Sequence, residues 1–461
     1  MRQSPSFHPT LIINNGQIAQ KLQSHYTVDE LQALRKWLTS KGTFNFSALS
    51  NGLFPAAAQS PSQEAASGYD SIWIRDNVYI AFSHFCRGQV EVATKNMRSL
   101  LAYFLKYQNR FEDIISGHAD PQQPMNRPQI RFDGQNLTEI DQIWAHAQND
   151  ALGYFLWFYC RLLNQGALKF SDETAHLLAI FVLFFEKIAY WDDEDSGHWE
   201  EVRKQSASSI GVVLASLYEL QKLMRHSHPD SSIAHNNRSI TIADVQRLID
   251  RGENALIKIL PSECIQTDRH KQRAHDAALL FLIYPLDILQ PQQANAIVEN
   301  VKQHLQGDYG IRRYPGDSYW APDYKKMLAP EHRTQDFSNN IADRDLLLAA
   351  PGAEAQWCIF NPIISVIHGK RYQHSGKKEE LEQQTFYLNR SLAQITAEQY
   401  GPNAFRCPEL YYREDGAFVP NDHLPLYWTQ ANLLMALHTL EVNVQVGTLS
   451  KFHQNGKAKV K

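Results

Sequence analysis

The chain has 461 residues, 43% of them hydrophobic, and a net charge of −4. That length and apolar content suffice for a large core, and the near-neutral balance excludes a basic nucleic-acid surface and a disordered acidic chain. The five cysteines (Cys86, Cys160, Cys264, Cys358 and Cys407) are scattered and form no CxxC pair, which argues against a disulfide framework or zinc site and for a reducing compartment.

The N-terminal stretch "MRQSPSFHPTLIINNG" lacks a cationic start followed by an apolar core, so no secretory signal is expected. The first 45 residues read as a short N-terminal extension. From there, helical periodicity recurs. In Val90 to Leu105, the residues Val90, Met97, Leu101 and Phe104 fall on one face. Trp144 to Leu163 reads as a longer helix, apolar nearly all round in its second half and therefore deeply buried. The next apolar run, Leu177 to Phe185, has about half the length of a membrane span. Further helical segments follow in "ASSIGVVLASLYELQKLM", "IADVQRLIDRGENALIKIL", "AHDAALLFLIYPLDIL", "QQANAIVENVKQHL", "AEAQWCIFNPIISVIH", "KEELEQQTFYLNRSLAQITAEQ" and "TQANLLMALHTL". The last 19 residues, 443–461, read as a mobile basic tail, leaving 46–442 as one domain.

Convincing alternating strands are scarce, and there is no GxG and no Walker A pattern. About a dozen helices in one chain predict an all-α protein with no membrane or nucleic-acid partner and a cytoplasmic location.

Several segments carry candidate chemistry. In "HWEEVRK", two adjacent carboxylates, Glu200 and Glu201, follow Trp199 and the acidic turn Asp192 to Asp195. A general acid needs a raised pKa, which burial against an aromatic ring or a neighbouring carboxylate supplies. Taken alone, such a turn is most often solvated. Adjacent loop residues point in different directions, so at most one of the pair faces a given cleft.

In "YDSIWIRDNVYI", Arg75 and Asp76 stand beside Trp73. Forked hydrogen bonds to adjacent hydroxyls plus an aromatic face suit a sugar, though a salt-bridged helix start is commoner. In "CPELYYREDGAFVPNDHLPLYW", Glu409 precedes Tyr411 and Tyr412, and Trp428 closes the segment. An inverting glycosidase needs a base opposite the acid, with the carboxyls roughly 6.5–9.5 Å apart. "RRYPGDSYW" combines Arg313 and Tyr314 with further aromatics, and Gln148 and Asp150 are polar residues on a helix read as buried. His226, His228 and His235 lie in a Ser/Asn/Pro-rich stretch that reads as a surface loop rather than a metal site.

In this order, the segments resemble glycoside hydrolase family 15, the glucoamylases, and their relatives, the alpha and beta regulatory subunits of phosphorylase kinase. The resemblance runs from about residue 50 to about residue 440 and rests on four stretches: residues 56–80, 198–217, 312–320 and 407–437. It implies a single (α/α)6 barrel and an inverting exo-acting α-glucoside hydrolase that releases glucose from non-reducing ends, without metal or cofactor. By the resemblance Glu200 is the general acid and Glu409 the general base. Trp73, Arg75, Asp76, Gln148, Asp150, Trp199, Glu201, Arg313, Tyr314 and Trp428 are its substrate-binding candidates, and the partner is an α-glucan or oligosaccharide. Two features depart from glucoamylases. Gly316 stands where the family loop has a Glu. The base segment and Gln148-Asn149-Asp150 read closer to the kinase subunits, which implies the alternative of a non-catalytic glucan-binding or regulatory protein.

Overall fold

The computed structural model describes residues 11–58, 68–226, 233–236, 238–329, 332–333, 346–347 and 352–458; the side chains of residues 226 and 448–458 are not described. Its helices form two concentric rings. The outer ring comprises α1 (Val28–Ser40), α3 (Val90–Lys106), α6 (Asp172–Lys187), α8 (Ile242–Ile259), α9 (Pro291–His304) and α11 (Lys378–Ala393). The inner ring comprises α2 (Ile74–Cys86), α5 (Asn149–Asn164), α7 (Ala207–His226), a six-residue 3₁₀ helix (Ala277–Leu282), α10 (Phe360–Ser375) and α12 (Tyr427–Ala458). Each inner element packs on the next, and α12 packs back on α2, so the ring closes. A short additional helix, α4 (Asn109–Ser116), rests on α6.

Sequence chemistry separates the rings. Outer helices are one-sided, except α6, which α4 and a hairpin of Ile233–His235 and Arg238–Ile240 cover. In α8, Val245, Leu248, Ile249, Gly252, Leu256 and Ile259 are buried at helical spacing, and Thr241 and Asp244 form a capping box at its start. In α1, Leu31, Leu34 and Leu38 are buried behind a Thr27–Glu30 box. Inner helices are buried almost all round, with Ile74 to His84 of α2 and Asn149 to Cys160 of α5 buried without a break. Gly153 lets α5 and α7 approach closely, since a Cβ there would lie 3.0 Å from the Val212 backbone.

Three small antiparallel sheets decorate the barrel. β1 (Ile72–Trp73), β2 (Arg131–Asp133) and β3 (Thr138–Glu139) form one; β4 (Ile233–His235) and β5 (Arg238–Ile240) form a hairpin; β6 (Gln356–Trp357), β7 (Leu410–Glu414) and β8 (Ala417–Pro420) form the third.

The rings correct four expectations. The expected N-terminal extension contributes α1, which packs on α12. The last helix continues through Ala458, past the point where a tail was expected to start. Trp144 to Ala147 are not helical, because the chain is still extended at Gln148 and α5 starts only at Asn149. "AHDAALLFLIYPLDIL" supplies only the 3₁₀ helix, as Pro285 has no backbone N–H to continue it. Among the described residues, no helix is long and apolar enough to cross a membrane.

Candidate active site

Each inner element is preceded by a long connection from its outer partner, and these six connections converge at one end of the barrel. They line a cavity of about 1080 Å³. Ten of the twelve expected site residues border it: Trp73, Arg75, Asp76, Trp199, Glu200, Glu201, Arg313, Tyr314, Glu409 and Trp428.

The Glu200–Glu201 pair sits in a loop clamped by two backbone hydrogen bonds between Asp195 and Lys204, both 3.0 Å. Glu200 adopts the left-handed conformation (φ 58°, ψ 40°) at the end of a short 3₁₀ turn, Gly197–Trp199. Its Oε1 accepts from the Trp73 indole at 2.8 Å and from Arg75 at 3.3 Å. The aromatic partner of Glu200 is thus Trp73 rather than the adjacent Trp199, whose indole donates to Asp276 at 2.9 Å. Glu201 turns the other way. Its carboxylate is 3% exposed and takes hydrogen bonds from Lys204, Arg273 and Tyr314. Burial alone would raise its pKa, but the Arg273 and Lys204 charges outweigh it and hold the group well below the usual range.

The acidic turn is only half solvated: Asp192 is exposed and Glu194 half-buried, while Asp193 and Asp195 point inward. Asp193 is buried in a two-oxygen salt bridge with Arg127, 2.8 Å to each oxygen. Asp195 is buried, accepts from the Asn149 backbone, and is pushed up to about 7 by burial and then by Asp150.

Glu409 enters from another connection. The backbone N–H of Cys358 donates to its carbonyl at 2.9 Å, and β6–β7 pairing fixes the strand that follows. Three side chains hold its carboxylate: Tyr69 on Oε1 at 2.7 Å, and His423 at 2.7 Å with Asn421 on Oε2. Tyr69 in turn stacks on His423, with ring centroids 3.5 Å apart, and its hydroxyl lies 2.9 Å from that of Tyr319.

Arg75 and Asp76 project from the first turn of α2. Burial pushes Asp76 up to about 7; Arg75 opposes this, and the Glu200 and Glu409 carboxylates add to it. Near neutral pH its carboxyl therefore offers both a donor and an acceptor. Gln148 and Asp150 do not border the cavity. They lie behind Arg75, accepting from it at 3.1 and 2.7 Å, so their expected contact with a ligand is replaced by support of the arginine. Behind Asp150, His198 is held down to about 4 by burial.

On another wall, Arg313 is fixed by Asp317 at 2.6 and 2.7 Å and lies over the rings of Trp357, Trp199 and Tyr319. Gly316, with φ 84°, donates its backbone N–H to Glu354. Behind the cavity-lining Trp73 and Trp144, the Arg131 guanidinium lies over both rings, 4.9 and 4.2 Å from their centroids. Tyr69, Tyr319, Trp357, Asn421, His423 and Trp144 were not among the expected site residues. Tyr69, Tyr319, Asn421 and His423 fall inside the quoted motifs, but nothing in their spacing says which side chains turn inward.

The profile described as "Glycosyl hydrolases family 15" matches residues 38–410. The chain belongs to glycosyl hydrolase family 15. Solved structures share its fold. A glycosidase variant superposes with a TM-score of 0.62 at 16% identity, covering 90% of this chain and 99% of that one. A bacterial glucoamylase complexed with acarbose gives 0.55 at 14% identity, covering 85% of this chain and 53% of that one. The glucoamylase of Saccharomycopsis fibuligera gives 0.54 at 13% identity, with coverages of 95% and 98%.

Two curated relatives carry other names. The "Uncharacterized lipoprotein YgeQ" of Escherichia coli (strain K12) is 26% identical over 215 residues, 42% of this chain and 81% of that protein. The "Probable phosphorylase b kinase regulatory subunit alpha" of Caenorhabditis elegans is 24% identical over 324 residues, 62% of this chain; the match spans 24% of that protein.

Proposed function

We propose that this family 15 chain is an inverting, exo-acting α-glucoside hydrolase that removes glucose from the non-reducing ends of maltooligosaccharides or α-glucans. The observation that carries the reading is that Glu200 and Glu409, 209 positions apart in the 461-residue sequence, border one cavity, each held by its own set of donors. Glu200 protonates the glycosidic oxygen as the bond to the anomeric carbon breaks. Glu409 takes a proton from the water that attacks that carbon from the opposite face, so the configuration inverts. Arg75 and Asp76 hold hydroxyls of the terminal glucose, and Trp199, Arg313, Tyr314 and Trp428 line the same pocket. A glycosidase of the same fold has been solved in complex with glucose, which supports the substrate class. All five cysteines are free thiols, which supports a reducing, cytoplasmic location.

The second reading is a glucan-binding regulatory protein without turnover, favoured by the similarity to the kinase regulatory subunit. Glucose release from maltose, isomaltose, maltooligosaccharides and glycogen separates the two. The wild type is expected to release glucose, first as the β-anomer, and Glu200→Gln and Glu409→Gln to lose about 10²–10⁴-fold. Binding without turnover in the wild type selects the regulatory reading. Equal activity in Glu200→Gln removes that residue from its role.

A further inference from the structure

On the outside of the barrel, away from the cavity, three metal-ligating side chains meet. Glu112 comes from α4, His176 from α6 and His235 from the end of β4. One ligand atom from each lies within 4.8 Å of the others, and among the described residues this is the group of three with that property. The sequence places His235 beside His226 and His228; the fold instead carries it to residues 59 and 123 positions earlier in the chain. His228 lies outside the described residues, as does the side chain of His226.

The arrangement of the ring nitrogens matters more than proximity. The Nδ1 atoms of His176 and His235 face each other at 3.5 Å. Two imidazole ligands of one tetrahedral zinc ion, each bonded at 2.0–2.1 Å, stand about 3.4 Å apart. The outward nitrogens are backed by amides. His176 Nε2 is 3.1 Å from Gln108 Oε1, and His235 Nε2 is 2.8 Å from the Asn236 side-chain amide. A metal-bound histidine characteristically donates its second N–H to such an acceptor, which fixes the tautomer and aims the other lone pair at the ion. Gln108 already presents its oxygen. Exchanging the Asn236 amide oxygen and nitrogen moves no other atom and gives His235 the same support. Gln108 also precedes α4, where its carbonyl accepts from the Glu112 backbone at 3.1 Å, so one helical turn carries both a ligand and the support of another. The Glu112 Oε1 is 3.6 Å from His235 Nε2 and its side chain is 34% exposed; ligation beside the two Nδ1 atoms requires this side chain to rotate on the solvent side.

We infer that Glu112, His176 and His235 form a site for a divalent transition metal of the zinc class, with water in the fourth position, which fastens α4 and the β4–β5 hairpin onto α6. Two imidazoles and a carboxylate match the preferences of Zn²⁺ and its neighbours rather than those of Ca²⁺ or Mg²⁺. The inference stands apart from the glycosidase reading, since none of the three residues borders the cavity.

The test uses the full chain without a histidine tag, stripped of metal by chelator dialysis and titrated with ZnCl₂ by calorimetry. One equivalent is expected to bind and to raise the melting temperature. His176→Ala and His235→Ala should each weaken binding at least tenfold, and the double variant should abolish the stoichiometric phase. His176→Gln, which keeps a polar side chain beside Gln108, serves if an alanine variant does not fold. With Co²⁺, visible bands of a four-coordinate ion are expected without thiolate charge-transfer absorption. No binding by the wild type up to millimolar zinc overturns the inference. So does an undiminished equivalent in the double variant, or a thiolate band, which would move the site to the cysteines.

Discussion

Asp76 is a cavity carboxyl whose ionisation the barrel resists, and replacing it with Asn tests the electrostatics of the cavity. Its folded value of about 7 stands above the ordinary 3.8, with burial as the largest cause. Below about pH 4 the folded and unfolded chains both hold the proton. Between about 4 and 7 only the folded chain holds it, so the wild type loses stability as the pH rises, by about 1.4 kcal/mol per unit. Above about 7 the loss is complete and totals about 4 kcal/mol. Asp76→Asn never ionises and escapes it. The stability of Asp76→Asn relative to wild type should therefore climb by about 4 kcal/mol between pH 4 and pH 7.5 and then level off. Asp195 titrates in the same range but is present in both proteins, so it cancels from the difference. Chemical unfolding of both proteins at half-unit pH intervals measures the slope. A constant offset forms part of any Asp-to-Asn change; a flat difference across this window would refute the reading that burial holds the Asp76 carboxyl in its protonated form.

Asp150→Asn removes the closest counter-charge of a buried guanidinium, 2.7 Å from Arg75, and should cost about 3–5 kcal/mol, seen as a fall in melting temperature. Tyr69→Phe deletes the 2.7 Å hydrogen bond to Glu409; glucose release should fall about 10–100-fold with an unchanged circular dichroism spectrum, following the loss of one bond to a charged acceptor. Gly153→Ala puts a methyl 3.0 Å from the α7 backbone and should destabilise by about 1–3 kcal/mol, measured by thermal unfolding, while leaving the cavity residues in place.

The double ring is legible in the sequence because its two kinds of helix carry different patterns. One-sided periodicity marks the outer helices α3 and α8, and a nearly continuous apolar stretch marks the inner helix α5; the outer helix α6 breaks the pattern because α4 and the β4–β5 hairpin cover its second face. The helix boundaries nearest the site are the ones misread. Trp144 to Ala147 carry apolar residues at helical spacing, yet they form no helix: Trp144 and Ala145 line the cavity, Trp144 stacks on Arg131, and the buried Ala147 accepts at its carbonyl from the Ser196 backbone at 2.7 Å. The small sheets have strands of only two to five residues, too short for an alternating pattern to register. The residues around Glu409 were hidden for a different reason. Tyr69 and His423 stack although 354 positions separate them in the 461-residue sequence, and only closure of the inner ring between α12 and α2 brings their connections together.

The adjacent pair in "HWEEVRK" illustrates how backbone conformation assigns roles that composition leaves open. An extended or helical backbone at Glu200 would carry the chain on in its existing direction. The left-handed turn there, with φ 58°, is uncommon for a residue bearing a Cβ and persists only where the surroundings fix it. Here the fixing groups are the Asp195–Lys204 clamp and the Ser196 carbonyl, which accepts from the Glu201 backbone at 3.2 Å. The turn sends the first carboxylate to the Trp73 indole in the cavity and the second into a nest of Lys204, Arg273 and Tyr314. Glu201 is thereby a fixed anion whose partners anchor the loop from behind. With that anion committed, Glu200 is left as the member of the pair whose side chain is still 16% exposed, bordering the cavity.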